Sequence, residues 1–230
     1  MLTLGEIATW FLIFLTYSCI GWFMEVIVSV QMHHRPSNRG FLIGPLCPIY
    51  GAGALILTFL LRNTENVIEI FIVSIVAATV LEYGTSYVME KLFRVRWWDY
   101  SHEKFNINGR VCLKMLLAFG IMGVIVTRIA NPILLDFYNN INEIGRIAIA
   151  ATLFSIVLTD IIVTSWLIIG CRATAGTLQA DATDEITANI HEILMNQGKL
   201  RRRLAKAFPN MEIQQKPKRR RSSKPKTSAK

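Results

Sequence analysis

Three acidic residues lie within long apolar stretches of the sequence, where a charged side chain needs a partner or a wet cavity. Glu25 and Glu82 fall late in two such stretches, and Asp160 falls deeper in a third. Insertion scales put the cost of a charge at the centre of a bilayer at roughly 2.5–3.5 kcal/mol. Acids that are kept in such places are therefore the first candidates for a functional site.

Arg39 and Arg110 are the obvious partners for two of these acids. Each arginine stands in a short cluster of Asn, Arg and Gly that precedes an apolar stretch, at about the depth of Glu25 and Glu82. Two interpretations stay open, namely an ion pair that ties two helices together, or a site for a substrate or an ion. Glu90, which is nearer the interface, is interpreted as solvated.

The densest aromatic cluster is Trp97-Trp98-Asp99-Tyr100. Tryptophan and tyrosine favour the membrane interface, which accounts for the rings but not for the acid among them. A lid or floor over a cavity open to the cytoplasm would use both. The predicted polar site contains Glu25, Asn38, Arg39, Glu82, Trp97, Trp98, Asp99, Asn108, Arg110 and Asp160.

Asp160 shares its apolar stretch with several hydroxyl side chains. Thr152, Ser155 and Thr159 fall on one helix face, with Asp160 and Thr164 beside it. We expect this stripe to face the interior of a helix bundle. It would serve there either for hydrogen bonds between helices or as the lining of a polar pathway.

Signatures of known catalytic sites are absent from the sequence. It contains no Gly-x-x-x-x-Gly-Lys-Ser/Thr loop, no His-Glu-x-x-His and no Gly-x-Ser-x-Gly. The four histidines fall in links or in the tail, and none of the four cysteines forms a Cys-x-x-Cys pair. The sequence therefore predicts no metal and no cofactor, and it favours a protein that is not an enzyme.

The elements that must position these residues are membrane-spanning helices. Of the 230 residues, 52% are hydrophobic and 18% are charged, whereas soluble domains run near a quarter charged. Five apolar runs approach or reach the roughly 20 residues that cross a bilayer. We predict an all-α, multi-pass protein of the cell membrane with spans from Ile7 to Val30, Phe41 to Leu61, Val67 to Leu92, Val111 to Ile129 and Arg146 to Gly170.

Basic residues indicate the orientation of these spans. They concentrate in the link after the first span, in the link between the third and fourth spans, and in the tail, where residues 199–230 hold thirteen Lys or Arg and one Glu. The positive-inside rule places these parts in the cytoplasm and the N-terminus outside. The body before the tail holds 12 basic and 15 acidic residues, so the net charge of +9 originates in the tail.

Spans one and two look like a copy of spans three and four. Each pair has a glutamate late in its first helix, a basic link, and an Asn, Arg and Gly cluster before its second helix. Both copies run in the same direction, which predicts two parallel hairpins plus a fifth helix. The second span opens with two prolines and three glycines between residues 44 and 53, so its helix should be broken or kinked there.

The chain divides into three predicted regions. Residues 1–172 form the transmembrane domain, residues 173–208 a cytoplasmic amphipathic helical segment, and residues 209–230 a disordered basic tail. The tail should be attracted to anionic lipid headgroups by about 1 kcal/mol per basic residue. Nucleic acid is not an expected partner, because the tail lacks the interleaved aromatic residues of a base-binding site.

Several sequence blocks resemble a bacterial membrane family labelled "putative ABC-transporter type IV", over roughly residues 10–130. The blocks are Gly21-Trp22-Phe23-Met24-Glu25, Asn38-Arg39-Gly40-Phe41, Gly44-Pro45, Pro48-Ile49-Tyr50-Gly51, Leu81-Glu82-Tyr83, Trp97-Trp98-Asp99-Tyr100 and Phe105-Asn106-Ile107-Asn108-Gly109-Arg110. A vertebrate transmembrane family of unknown function looks similar around the Trp-Asp-Tyr block. The label implies a permease, and it implies a separate ATPase subunit for any ATP-driven role.

Three functions compete at this point. The first is a small transporter or permease component, which with five spans would form a homo-oligomer to enclose a path. The second is an enzyme for a lipid or lipid-linked substrate, with Glu25, Glu82 or Asp99 as acid or base and Arg39 and Arg110 on a phosphate headgroup. The third is a non-catalytic scaffold in the lipid bilayer.

Overall fold

The computed structural model describes residues 2–33, 41–93 and 98–177 of the chain. Within these residues the fold is helical apart from one short hairpin, which the all-α prediction did not include. The elements are α1 (Leu4–His33), α2 (Pro48–Leu60), α3 (Val67–Phe93), β1 (Asn106–Ile107), β2 (Val111–Cys112), α4 (Leu113–Ile125), a π-helical turn (Val126–Ala130), α5 (Asn131–Asn139) and α6 (Glu143–Thr177).

Four helical stretches in the described part of the chain are long and apolar enough to cross a membrane. They are Leu4–Gln31, Val67–Leu92, Leu113–Asn139 and Glu143–Leu167. The predicted second span is the exception, because its helix has only 13 residues. At 1.5 Å per residue such a helix covers about 20 Å, which is less than the roughly 30 Å of a hydrocarbon core.

Residues 41–47 form the non-helical opening of the predicted second span, which confirms the predicted break. Asp160 on α6 binds two of the backbone amides that the break leaves without helical partners. The N–H of Ile43 donates to Oδ1 at 3.0 Å, and the N–H of Gly44 donates to Oδ2 at 2.8 Å. The fully buried Thr164 donates its hydroxyl to the same Oδ1 at 3.0 Å, so one carboxyl group organises the opening.

The predicted polar stripe on α6 does not face the bundle interior as a whole. Thr152, Ser155 and Thr159 are exposed, and each donates its hydroxyl to a carbonyl four residues earlier on α6. Because this bonding satisfies a hydroxyl within its own helix, these residues need no neighbouring helix. Asp160 and Thr164 are the members of the stripe that contact another element.

The fourth predicted span ended at Ile129, but the helical rod continues to Asn139. The continuation passes through the π-helical turn, and a proline lies in the first turn of α5. A π turn widens the helix, so that the proline, which donates no N–H, follows without ending the rod. Beside this turn, the buried Asn131 accepts a hydrogen bond from Tyr17 and donates one to Thr58, both at 2.7 Å.

Small residues let α1 approach α2 closely, and they let α3 approach α4 closely. Gly51 of α2 lies against Ser18 and the backbone of Phe14 on α1, and Gly123 of α4 lies against Ser74 on α3. A Cβ atom at either glycine would collide with these neighbours. The close contacts hold α1 to α2 and α3 to α4, while α6 packs along α1.

Large apolar side chains cover the outside of the helices. On α3, Ile72, Val76 and Val80 follow one face at intervals of four residues, and all three are exposed. Such a surface is costly in water but suits contact with lipid chains. The exposed apolar faces and the four long helices agree with a multi-pass membrane protein.

Helix α6 continues to Thr177, past the predicted end of the transmembrane domain at residue 172. The rest of the predicted amphipathic segment and the whole basic tail fall outside the described residues.

Candidate polar site in the helix bundle

Glu25 lies on α1 and reaches α2 through a tyrosine. The hydroxyl of Tyr50 donates to Oε1 of Glu25 at 2.7 Å. The ring of Tyr50 packs against α1 at Gly21, where any side chain would collide with it. The glycine four residues before the glutamate therefore makes room for the tyrosine that binds this glutamate.

Glu82 lies on α3 and is more deeply buried, with 6% of its surface exposed. The hydroxyl of Tyr100 donates to Oε1 of Glu82 at 3.2 Å. The second oxygen, Oε2, is buried and has no hydrogen-bond partner within the described part of the chain. This is unusual, because a buried polar group without a partner costs about 1–3 kcal/mol, and more if it is charged.

Tyr100 links the two glutamates electrostatically. Burial raises the pKa of its phenol above the ordinary value, and the negative charges of Glu82 and then Glu25 raise this pKa further. Both carboxyl groups therefore lie within electrostatic range of one hydroxyl, although they belong to different helices. We call the four residues Glu25, Tyr50, Glu82 and Tyr100 the Glu–Tyr cluster.

A short β-hairpin holds Tyr100 in its place. In the turn between β1 and β2, Asn108 and Gly109 have positive φ values of 52° and 66°, as an Asn-Gly pair commonly has in tight hairpins. The N–H of Tyr100 donates to the carbonyl oxygen of Gly109 at 2.7 Å. Asn108 also donates its side-chain amide to the hydroxyl of Tyr83 at 3.0 Å, which ties the turn to α3.

Arg110 forms an ion pair with Glu90, whereas the sequence suggested Glu82 as its partner. Its Nη2 lies 2.8 Å from Oε2 of Glu90, and its Nη1 donates to the hydroxyl of Ser86 at 2.9 Å. The guanidinium carbon also lies 5.6 Å from the centroids of two tyrosine rings on α3. The interpretation of Glu90 as solvated is wrong, because only 12% of its side chain is exposed.

Two further members of the aromatic segment, besides Tyr100, have structural contacts. The indole N–H of Trp98 donates to the carbonyl oxygen of Arg110 at 2.9 Å, which fastens this segment to the hairpin. Asp99 is exposed, and its Oδ1 accepts hydrogen bonds from the N–H and the hydroxyl of Ser101 at 3.0 and 2.5 Å. These bonds stabilise the turn that follows Asp99. A role of the segment as a lid stays a prediction.

The remaining predicted site residues either form their hydrogen bonds away from the cluster or lie outside the described residues. The bonds of Asp160 go to the opening of the second span and to Thr164, as described above. Asn38, Arg39 and Trp97 lie outside the described residues. The predicted pairing of Arg39 with Glu25 therefore stays a prediction.

Tyr50 and Ser86 contact the site residues but were not among the predicted ones. Tyr50 stands where the broken span becomes helical, and Ser86 follows Glu82 by one helical turn. A phenol that can face an intramembrane acid is a natural hydrogen-bond donor. That consideration would have picked out Tyr50, and it gives Tyr100 a second role besides that of an interface anchor.

Comparison with known proteins gives one match. Residues 12–165 match the model of a protein family described as "Putative ABC-transporter type IV". No curated protein matches the chain, and no solved structure matches it.

Proposed function

Since the chain belongs to the "putative ABC-transporter type IV" family, we propose that it is a permease component of the cell membrane. The Glu–Tyr cluster would be the polar site through which its solute passes. The observation that carries the proposal is the meeting of two acidic side chains from different helices inside an apolar bundle. Intramembrane acids that face a bundle interior typically belong to substrate or ion pathways.

The proposal includes five spans rather than four. Residues 41–47 and α2 together would cross the bilayer as a broken span, because irregular backbone is tolerated at membrane depth where protein buries it. The hydrogen bonds that the amides of this segment donate to Asp160 support that arrangement. With the N-terminus outside and the C-terminus in the cytoplasm, the Glu–Tyr cluster would lie at the cytoplasmic mouth of the bundle.

A duplicated hairpin is part of the same proposal, and recurring contacts support it. Ser29 and Ser86 each follow a cluster glutamate by four residues, and both are buried. In addition, one serine on each first helix lies against one glycine on the second helix, in the pairs Ser18–Gly51 and Ser74–Gly123. Two similar hairpins would each bring one glutamate to the shared site.

The lipid-enzyme hypothesis has less support from the described geometry. It needs free guanidinium groups to hold a phosphate headgroup. Arg110 is engaged by Glu90 and Ser86, while Arg39 lies outside the described residues. Taking Arg110 from its partners would break an ion pair whose side chains are only 10% and 12% exposed, which costs stability. A passage for solutes needs no such rearrangement.

The partners in this proposal follow from the chain itself and from the family label. The lipid bilayer surrounds the helices, and the basic tail would bind anionic lipid headgroups. A homo-oligomer would enclose a path that five helices are too few to enclose alone. A separate ATPase subunit would drive the solute, because the sequence carries no phosphate-binding loop of the Gly-x-x-x-x-Gly-Lys-Ser/Thr type.

The test is an uptake measurement with vesicles that contain the purified chain, with and without membranes of a host strain as a source of an ATPase partner. A defined mixture of isotope-labelled amino acids, polyamines, choline and nucleosides would be offered, and the vesicle contents measured by mass spectrometry. We expect accumulation of a subset of these solutes, with at least a tenfold loss for Glu25→Gln and for Glu82→Gln.

Glu69→Gln is the matched control, because Glu69 lies on the same helix as Glu82 but is exposed in its first turn. It should transport as the wild type does. Equal uptake by all four proteins would exclude the Glu–Tyr cluster as the solute site, and a defect in Glu69→Gln as large as in Glu82→Gln would do so too.

A further inference from the structure

The Glu–Tyr cluster contains two acids and no basic residue. Among the described residues, neither Glu25 nor Glu82 forms an ion pair, and each accepts a hydrogen bond from a neutral phenol. Arg110, which the sequence suggested as the partner of Glu82, forms its ion pair with Glu90 instead. Ionised carboxylates at Glu25 and Glu82 would repel each other in an apolar bundle, with little solvent to screen them.

The buried Oε2 of Glu82 marks the position where the missing positive charge belongs. This atom has no donor among the described residues, and the whole side chain is 6% exposed. Oε1 is already occupied by the hydroxyl of Tyr100, so Oε2 is the acceptor that remains. A group bound to Oε2 would remove both the unmet hydrogen bond and the repulsion from Glu25.

Glu25 from α1 and Tyr100 from the loop before β1 interact electrostatically with Glu82. Tyr50 of α2 and Cys47 just before it interact with Glu25, and Cys112 of β2 interacts with Tyr100. On α3 itself, Glu90 stands two turns away and is paired with Arg110. Glu25 is the acidic residue among these neighbours of Glu82.

A proton fits this place better than a metal ion does. No group of three or more His, Cys, Asp or Glu side chains in the described residues could hold a metal ion. Ca²⁺ takes six to eight oxygen ligands, and Mg²⁺ also demands a complete shell of them. Oε2 offers a single acceptor, which is what one proton requires.

We propose that Oε2 of Glu82 is a proton-binding site, and that this proton exchanges with the cytoplasm through the Glu–Tyr cluster. The inference rests on the proposed function, which it deepens by adding a proton to what the solute site binds and releases. The proton binds the carboxylate as H⁺ and leaves as H⁺, so no other reactant takes part. Tyr100 holds Oε1 in both states, which leaves Oε2 free to gain or lose the proton.

The test is infrared difference spectroscopy of the full chain in lipid nanodiscs, stepped from mildly acidic to mildly alkaline pH. A protonated carboxyl group absorbs at a different infrared frequency from a carboxylate, and its absorption frequency shifts in heavy water. We expect the wild type to show the C=O stretching band of a protonated carboxyl group in apolar surroundings. This band should disappear when the pH is stepped to the alkaline value. Glu82→Gln should lose the band, and Glu69→Gln should keep it.

Tyr100→Phe provides an independent measurement on a chain that keeps Glu82. Loss of the hydrogen bond to Oε1 should shift the frequency of the band without abolishing it. Absence of the band from the wild type, its persistence in Glu82→Gln, or an unchanged frequency in Tyr100→Phe would overturn the assignment. Loss of the band on addition of Na⁺ or K⁺ at constant pH would overturn it in favour of an inorganic cation.

The spectroscopic result does not depend on transport. A band that vanishes in Glu82→Gln, together with uptake that does not change, would refute the proposed function and leave the proton site in place. Uptake that requires Glu82 in the absence of any such band would refute the proton site alone.

Discussion

At the scale of single residues, the half-buried Glu25 and the buried Glu82 both accept hydrogen bonds from phenols, and neither forms an ion pair with a described residue. A tyrosine hydroxyl donates one hydrogen bond and carries no charge, so it binds a carboxyl group in either protonation state. An arginine in the same place would hold the carboxylate ionised. The pairs Glu25–Tyr50 and Glu82–Tyr100 therefore suit a site whose charge changes.

The variant Tyr100→Phe measures how much this donor contributes. It leaves Glu82 with neither oxygen hydrogen-bonded to a described residue, so we expect a loss of about 1–3 kcal/mol in the free energy of unfolding. The measurement is denaturant unfolding in detergent, with Tyr87→Phe as control, because Tyr87 lies on α3 with 43% of its surface exposed. Equal effects of the two variants would contradict the role of the Tyr100 hydroxyl.

The pH dependence of the same variant follows from the raised pKa of Tyr100. In the unfolded chain a tyrosine ionises at about pH 10, whereas in the folded protein the pKa of Tyr100 is higher. The contribution of Tyr100 to stability is therefore complete below about pH 10, where the unfolded chain begins to ionise, and it declines as the pH rises towards the pKa of the folded protein. When the pH is raised above about 10, the free energy of unfolding of Tyr100→Phe should decrease less than that of the wild type. A larger decrease in the variant would contradict the raised pKa of Tyr100.

The ion pair of Arg110 shows that the position of residues along the sequence does not determine which of two nearby glutamates an arginine binds. Glu82 and Glu90 are separated by roughly 12 Å along one helix at 1.5 Å per residue, and either is within reach of a hairpin residue. The choice between them depends on the Asn-Gly turn, which sets the direction in which Arg110 leaves the hairpin. Residue types predicted the acids of the site, whereas the partners required the backbone of the loop.

At the scale of the elements, close helix packing depends on a few glycines. Gly51→Ala should lower the free energy of unfolding by about 1–3 kcal/mol, because its Cβ would meet Ser18 and the backbone of Phe14. Gly84→Ala is the matched control, since a Cβ at Gly84 meets nothing within 4 Å. It should be neutral or should gain up to about 1 kcal/mol from helix propensity. Thermal unfolding in the same detergent compares the two, and a similar loss for both would contradict the packing.

Apolar runs predicted which segments are helical, and the prolines and glycines of residues 44–53 predicted where the helix of the predicted second span breaks. They did not predict the rod that continues through the π turn, because an Asn-Pro pair at residues 131 and 132 is typical of a helix end. They also misplaced Thr152, Ser155 and Thr159, since a hydroxyl that binds its own helix backbone needs no interior position. The longer fourth helix and the exposed hydroxyl groups both depend on hydrogen bonds to the helix backbone, which cannot be predicted from composition.

At the scale of the whole molecule, the proposed orientation predicts which ends of the helices face the cell exterior. In a variant without its four native cysteines, Asn140→Cys lies between α5 and α6, and Glu103→Cys lies in the loop before β1; both positions are exposed. A membrane-impermeant maleimide applied to intact cells should label the first at least tenfold more than the second. Permeabilised cells should label both, and the reverse pattern in intact cells would invert the proposed topology.

The carboxyl group of Asp160 has a consequence for the order in which the protein is made. The opening at residues 41–47 emerges from the ribosome early, but the side chain that binds its amides belongs to α6, the last helix in the described part of the chain. Until α6 is synthesised and inserted, the second span lacks these acceptors and stays incomplete. A segment that is among the first to be synthesised is therefore completed only after α6 has been made, and chains that terminate before α6 should be substrates for quality-control proteolysis.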